Sequence, residues 1–304
     1  MHYTIPRRDW IKGTVAAYLT GGMHAKLAAF DEATNQDGGQ RSKFPHRAKV
    51  TQLEDLTHNI KRIRFQPATD DFAFAAGQYV RMRAPGKYVA EFNDRYQTSH
   101  KAVSRPYSFA SSPGDSSFFE LIIKHYPAPQ DKDVPPGIVS TYVHKHLEVG
   151  DAVQLSEPGG KLYSENDSDR PIIVVAGGVG AAPFVGLLNY WFEHKTNERR
   201  KIYFFLGVRS RRDLLLHDQF IEWHENKPNF QYIPALSHPQ DGDDWEGATG
   251  YINVVLERYF HEPVDADAYL AGPPIMVRFT KEALKKKGND EERIHRDPIR
   301  VRDT

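Results

Sequence analysis

From Pro171 onward the chain repeats one pattern, a continuous apolar run followed by a turn and a helical stretch. Ile172 to Ala176 is the first run, and Gly177-Gly178-Val179-Gly180 and a helical stretch from Ala182 to Glu193 follow it. Lys201 to Leu206, Phe230 to Leu236 and Ala266 to Ala271 are further runs. The helical stretches between and after them end near Asn226, span Tyr251 to Tyr259, and span Met276 to Lys287. Strands without polar alternation are buried on both faces, and strands alternating with helices pair in parallel. The pattern predicts a doubly wound parallel sheet of about five strands, with ligands expected at its carboxyl edge.

Between Ala48 and Tyr163 the rhythm is different. Val50 to Leu53, Ile60 to Phe65, Gln78 to Met82, Arg105 to Phe109, Phe118 to Lys124 and Ala152 to Leu155 are short, partly alternating runs. Gly, Pro, Asn and Asp separate them, which predicts a small antiparallel β-barrel or sandwich. One helix is expected to interrupt it, from about Gly137 to Leu147. The first 45 residues fit neither half. Trp10, Ile11, Val15, Leu19 and Phe30 recur at loosely helical spacing, and the polar stretch Thr34 to Gln40 follows. Residues 1–45 therefore read as an arm that docks on a partner or on the body of the protein. Residues 46–165 read as the β domain and 166–304 as the α/β domain. Arg7-Arg8 faintly resembles a twin-arginine export signal, but no small-residue cleavage site follows, so export is not expected.

Composition removes several function classes. Among 304 residues, 40 Lys and Arg balance 40 Asp and Glu, which gives no global attraction to nucleic acid or to an anionic membrane. There is no cysteine, so disulfides, zinc–thiolate sites and any iron–sulfur cluster on this chain's own thiolates are excluded. No metal site is expected. No apolar run reaches the length of a membrane span, and the expected placement is cytoplasmic.

Five short constellations carry candidate chemistry. Arg105-Pro106-Tyr107-Ser108 alternates a guanidinium, an aromatic ring and a hydroxyl, groups suited to a phosphate, a flat heterocycle and a ring nitrogen. Gly177-Gly178-Val179-Gly180 lies where a buried strand meets a helix, and there backbone N–H groups can approach an anion. Its spacing is not that of the G-x-G-x-x-G dinucleotide fingerprint. Gly272-Pro273-Pro274 ends the last long strand and leaves a rigid, side-chain-poor surface. Gly207-Val208-Arg209-Ser210 brings basic groups to the same edge. Gly137-Ile138-Val139-Ser140-Thr141 begins a helix with small and hydroxylated residues, fit for a pyrophosphate. Taken singly, these patterns fit equally well an edge strand, ordinary strand–helix turns, and N-capping by Ser140 or Thr141.

Their order is more specific. Arg-x-Tyr-Ser, a Gly-x-x-Ser helix start, Gly-Gly-x-Gly-x-x-Pro and Gly-Pro-Pro-x-Met, in that sequence, resemble the ferredoxin–NADP reductase superfamily of flavin enzymes. The resemblance runs from about Lys49 to about Asp297. Asp133 to Tyr142, Ala235 to Gln240 and Trp245 to Tyr251 are similar to the flavin/NADH module in the peripheral subunit of sodium-translocating NADH:quinone reductases.

The resemblance implies an antiparallel β-barrel that binds FAD, followed by a parallel-sheet domain that binds NADH. It implies that Arg105 holds FAD phosphate, that Tyr107 packs on the isoalloxazine, and that Ser108 lies near the reactive flavin N5. Gly137, Ser140 and Thr141 would line the pyrophosphate. Gly177, Gly178 and Gly180 would face the nicotinamide nucleotide, with Gly272 and Pro273 bordering its ring. Pro106, Ile123, Lys124, Val139, Arg209, Ser237 and Met276 complete the expected cofactor-binding set. Tyr107 and Ser108 are the residues expected at the reacting atoms. The implied reaction is hydride transfer from nicotinamide C4 to flavin N5.

Three departures qualify that expectation. Ala271 stands where the relatives usually carry a cysteine, so slower or differently positioned transfer is expected. Arg296-Asp297-Pro298-Ile299 stands where the relatives often carry a terminal aromatic over the flavin. The transmembrane helix and the cysteine-ligated ferredoxin domain of that subunit have no counterpart among these 304 residues. Ser237-His238 replaces the Ser-Arg that would hold a 2′-phosphate, and Asp213 also disfavours one, while Arg211 and Arg212 pull the other way. NADH is therefore the expected donor. The expected acceptor is a separate electron-carrier protein, iron–sulfur or similar, whose cluster must sit on another chain. Peripheral association with a membrane complex is compatible with this. The alternatives are a slow or non-catalytic nucleotide-binding subunit, and a reductase of free flavin or quinone.

Overall fold

A computed structural model of the protein describes residues 42–163 and 167–297. Nearly all of the expected arm, and the tail after Asp297, lie outside the described residues. The first described half is a six-stranded antiparallel sheet. Its strands are β1 (His46–Thr57), β2 (Ile60–Pro67), β3 (Tyr79–Arg83), β4 (Ser104–Ser108), β5 (Phe119–Lys124) and β6 (Ala152–Leu155), in the order β4-β3-β6-β1-β2-β5. The two edge strands of that order meet again. Phe109 bridges Leu121, and the Ala110 N–H donates to the Glu120 carbonyl at 2.8 Å. The sheet thus curls into a half-barrel around Val50, Phe65, Val80, Met82, Phe109, Phe119 and Leu121. Closing the edges in this way removes most of the unpaired backbone that an open sheet exposes.

This half contains two helices, not the single one expected from sequence. The anticipated helix is α2 (Ile138–Lys145), and an additional helix, α1 (Gly86–Tyr96), joins β3 to β4. Pro85 precedes it and Gln97 ends it in the left-handed region at φ 50°. Its apolar face of Tyr88, Val89, Phe92 and Tyr96 has helical spacing but covers only three turns among Lys87, Glu91, Asn93, Asp94 and Arg95. Through Tyr88, whose ring lies 5.2 Å from Tyr142, α1 packs against α2.

The second half is a parallel sheet flanked by helices. Its strands are β7 (Ile172–Gly177), β8 (Ile202–Val208), β9 (Phe230–Leu236), β10 (Ala248–Thr249), β11 (Asp267–Ala271) and β12 (Ile294–Arg296). The order is β10-β9-β8-β7-β11-β12, with every neighbouring pair parallel. Four strands are long. The two edge strands are too short to leave a sequence signal, which explains the expectation of about five. The helices are α3 (Ala182–Glu193), α4 (Thr196–Arg199), α5 (His217–Asn226), α6 (Ile252–Tyr259) and α7 (Pro274–Lys286). Alternate residues of β7 serve opposite faces. Ile172, Val174 and Ala176 pack with α3 and α5, whereas Ile173 and Val175 pack with α6 and α7. Each strand is buried twice, and this accounts for its unbroken apolar run.

The two halves share a core. Ile60, Ala110 and Ile122 from the barrel pack into the same cluster as Phe184, Leu188 and Trp191 of α3. Gly186 makes that approach feasible, because a Cβ there would stand 2.7 Å from the Phe109 carbonyl oxygen and 2.8 Å from that of Ser111. The start of α3 is thereby held against β4 and β5. At the opposite, amino end of the sheet, Arg200 and Asp267 form a buried ion pair, and the Arg200 Nε also donates to the Arg170 carbonyl.

Candidate functional site

Strand order places the site. The chain leaves β7 toward β8 and β9 on one side and returns to β11 on the other, so the connections after β7 and β11 diverge. A crevice opens at such a reversal, outside the carboxyl ends of the strands. The barrel closes it from the other side. Arg105, Pro106, Tyr107 and Ser108 of β4 and Ile122 and Lys124 of β5 form its barrel wall, and Tyr126 adjoins them. Gly137, Ile138, Val139 and Ser140 form one end. Val179, Gly180, Ala182, Pro183 and Ala271 form the opposite wall, and Asp297 reaches in from beyond β12.

The barrel wall carries the polar chemistry. The Arg105 Nη1 donates to the carbonyl of Ser104 at 2.9 Å, which draws the guanidinium along the strand. Burial pushes the Tyr107 phenol far above its usual value, outweighing the nearby Arg105 cation, so Tyr107 stays neutral. Burial also lowers the Lys124 pKa. The Asp213 carboxylate opposes the shift and the Arg209 cation adds to it. Ser108 is buried, and its Oγ donates to Asp297 Oδ2 at 3.2 Å.

The start of α2 is fixed by the barrel and not by a capping side chain. Gly137 occupies the cap position, with no side-chain cap hydrogen bond. The Ser140 hydroxyl donates to the Gly137 carbonyl at 2.9 Å and accepts from the Tyr126 N–H at 3.2 Å. The Gly137 N–H in turn donates to the Tyr126 carbonyl at 2.8 Å. The N-capping role open to Ser140 and Thr141 is therefore not the one observed. Thr141 is not among the residues lining the cleft, and its Oγ1 lies 3.4 Å from His125 Nε2. The first N–H groups of α2 have no partner within the helix and give that end of the cleft a positive character.

The opposite wall is bare backbone. Gly180 lies against the end of β11, where a Cβ would stand 2.4 Å from the Ala271 carbonyl oxygen and 2.7 Å from the Gly272 nitrogen. Gly177 is packed beneath Met276 and Pro273, with Gly272 beside it at φ 147°. With Pro183 in its first turn, α3 starts at this wall.

Of the residues expected from sequence, Arg105, Pro106, Tyr107, Ser108, Lys124, Gly137, Val139, Ser140 and Gly180 line one cleft. Gly177, Gly178, Gly272, Pro273 and Met276 lie at the adjoining carboxyl edge without lining it. Arg209 and Ser237 follow β8 and β9 farther along that edge. The Ile123 side chain turns into the barrel core, because strand alternation gives the cleft to Ile122 and Lys124. Ile122, Tyr126, Ile138, Val179, Ala182 and Pro183 line the cleft without having been singled out for the site, and Asp297 lines it where the resemblance had offered only a substitute for a terminal aromatic. Val179, Ala182 and Pro183 lie inside or beside the glycine motif, where they could have been found. The resemblance marked the position of Asp297, but no local pattern foretold its hydrogen bond to Ser108.

The residues present fit a flavin dinucleotide. Tyr107 and Tyr126 offer rings and Ile122, Val179 and Ala271 offer apolar surface for a flat heterocycle. Arg105, Lys124 and the start of α2 offer positive charge for phosphates, and Gly180 with Ala271 leaves space for a second flat ring. Among the described residues no group of side chains suited to a metal ion occurs, and no helix is long and apolar enough to cross a membrane.

Comparison with known proteins agrees with this layout. Residues 47–163 match the oxidoreductase FAD-binding domain family and residues 174–282 the oxidoreductase NAD-binding domain family. One component of the Na+-translocating NADH-quinone reductase of Serratia proteamaculans is 33% identical over 260 residues, covering 77% of this chain and 63% of that protein. The phenol hydroxylase P5 protein of Acinetobacter pittii is 31% identical over 251 residues, covering 82% of this chain and 64% of that protein. The chain thus spans somewhat under two thirds of the length of these relatives. Among solved structures, a cytochrome P450 reductase from Amycolatopsis superposes with a TM-score of 0.69 at 25% identity, covering 86% of this chain and 72% of that one.

Proposed function

Because the chain belongs to the ferredoxin reductase family of FAD- and NAD-binding oxidoreductases, we propose that it takes a hydride from NADH and passes the electrons to a separate carrier protein. The observation that carries this is the single cleft in which β4, β5 and the start of α2 face the glycine-rich carboxyl edge of β7 and β11. Residues 46–165 form the FAD-binding unit in this reading, and residues 166–304 the NADH-binding unit. FAD, when bound, supplies an acceptor for a hydride pair that can release electrons singly.

The protein's own part is binding and orientation. Arg105 and the first turn of α2 hold the phosphates, and Lys124 adds charge at the rim. Tyr107, neutral and half-buried, provides a flat platform. Ser108, held by Asp297, presents its hydroxyl at the edge of that platform. Gly180 and Ala271 leave the facing wall free of side chains, so that two flat rings can approach to reacting distance. Binding at the β7–β11 reversal also removes water from between them.

The proposed acceptor is iron–sulfur or similar, and with no cysteine among the 304 residues a thiolate-ligated cluster would sit on that partner. The arm, residues 1–45, is its proposed docking element, and cytoplasmic placement, with peripheral attachment to a membrane complex, suits such a partner. Ala271 favours a second reading, a slow or non-catalytic subunit, because the cleft wall there offers a methyl group and no thiol.

Anaerobic stopped-flow mixing of the FAD-loaded chain with NADH and with NADPH tests both readings. Rapid bleaching of the flavin with NADH supports the first, and very slow bleaching with tight nucleotide binding supports the second. Failure to bind FAD at all would overturn both.

A further inference from the structure

Beyond the cleft, the carboxyl edge continues over β8 and β9, and its surface there is organised by one carboxylate. The ladder between the two strands runs past their ends, with the Ser237 N–H donating to the Val208 carbonyl at 2.9 Å and the His238 N–H to the Arg209 carbonyl at 2.8 Å. A dinucleotide whose nicotinamide end lies at Gly177 and Gly272 has its adenosine end over these two turns, two strands away. The site expected for a 2′-phosphate therefore lies among Arg209, Arg211, Ser237 and His238.

Two of the acidic groups there are committed. Asp213 Oδ2 accepts from the Ser210 N–H at 3.0 Å and from the Ser210 Oγ at 2.8 Å, which folds the turn after β8 onto itself. Asp243 joins the two turns to each other. Its Oδ2 accepts from the Arg211 N–H at 3.2 Å and from the Gln240 N–H at 2.9 Å. Its backbone carbonyl accepts from Arg211 Nη1 at 2.7 Å. The same residue thus places a negative charge at the rim and binds the Arg211 guanidinium to the loop.

We propose that Asp243 is a specificity-determining residue that excludes a 2′-phosphate, by setting its carboxylate at the adenosine end and committing Arg211 to the loop. The proposal rests on the nucleotide-domain reading given above. A phosphate monoester carries close to two negative charges at neutral pH. Like charge at a recognition site discriminates against such a ligand without weakening one that lacks it. A ribose with both hydroxyls free has no such penalty. The Ser237 Oγ and the His238 Nδ1 lie 2.9 Å apart beside it.

Asp243→Asn keeps an oxygen acceptor for both N–H groups and removes the charge. The full FAD-loaded chain and this variant are titrated calorimetrically with adenosine 2′,5′-bisphosphate and with AMP. The expected result is a bisphosphate affinity raised at least about tenfold, with AMP affinity changed by less than about twofold. The ratio of kcat/KM for NADPH to that for NADH rises in parallel. An unchanged bisphosphate affinity, or equal shifts for both ligands, overturns the proposal. Asp243→Ser, which also removes the charge and keeps an oxygen, repeats the comparison if the Asn variant is poorly folded. AMP binding by the unsubstituted chain separates the two readings. Its absence counts against the nucleotide domain, whereas its presence with no change in bisphosphate affinity counts against Asp243 alone.

Discussion

Ser108 and Asp297 lie 189 positions apart in sequence and share a hydrogen bond of 3.2 Å across the mouth of the cleft. Ser108 ends β4, and Asp297 follows β12, its N–H donating to the Leu270 carbonyl at 2.9 Å as the ladder beside β11 runs out. One side chain from each half of the molecule is thus fixed by the other. We expect Ser108→Ala and Asp297→Asn to leave FAD bound and to slow flavin reduction by NADH about ten- to hundredfold. That range corresponds to the loss of one hydrogen bond at a partly buried site. Stopped-flow bleaching measures the rate, and flavin absorbance after gel filtration measures retention. Equal rates in all three proteins would remove this pair from the reaction.

The readability of these residues in sequence differs for physical reasons. The β7 to β11 half was legible because double burial leaves apolar runs that few other structures produce. Arg105, Ser108, Gly137 and Gly180 were legible only through their order, since each alone also fits a plain turn or edge strand. The place of Asp297 beside Ser108 was hidden. It depends on β12, three residues long, pairing with β11, and so short an edge strand has no periodicity to detect. Helix α1 carried a readable stripe of Tyr88, Val89, Phe92 and Tyr96, but one short helix set between strands of an otherwise β-patterned half is easily passed over. Thr141 and Ile123 show the reverse limit. Motif position brought them into the expected site, yet Ile123 packs into the barrel core and Thr141 is not part of the lining.

Gly180→Ala is expected to damage the nucleotide edge directly. The added Cβ would meet the Ala271 carbonyl oxygen at 2.4 Å and the Gly272 nitrogen at 2.7 Å, both backbone atoms that cannot rotate aside. The end of β11 must then move. A cost of about 3 kcal/mol, at the upper end for overpacking, is expected in chemical denaturation. NADH affinity should fall by more than FAD affinity, since the displaced strand belongs to the nucleotide wall. A variant with native stability and native NADH affinity would show that the wall is not closed in this way.

Arg200 and Asp267 should govern stability without touching the cleft. Both side chains are nearly inaccessible, at 1% and 5%, so removing one partner strands the other charge in the core. Arg200→Met is expected to cost about 3–5 kcal/mol. The paired change Arg200→Met with Asp267→Leu should recover much of that loss, because no buried charge remains. Urea unfolding of the two variants measures both quantities. Flavin reduction by the folded fraction should be unchanged, since the pair sits at the amino end of the sheet and the cleft at its carboxyl end.

Acid should weaken the fold through three partly buried imidazoles. Burial is the first cause of a lowered pKa at His125, His144 and His217. The charged groups around them act both ways. Lys145 lowers His125, Lys61 lowers and Asp55 raises His144, and Arg211 lowers and Asp218 raises His217. His125 and His144 are also stacked, with ring centroids 5.1 Å apart, so each disfavours the other's protonation. A folded-state pKa below the unfolded one means that the unfolded chain binds more protons as the pH falls. Stability is then independent of these groups above the unfolded value of about 6.5, and it declines as the pH drops from there through the folded values. The His144 Nε2 donates to the Ile123 carbonyl at 2.9 Å, which calls for a replacement that can still donate. His144→Gln retains such a donor and removes the titration. Its urea midpoint should fall less steeply between neutral pH and pH of about 5 than that of the unsubstituted chain. Identical slopes in the two proteins would assign the acid sensitivity to other groups.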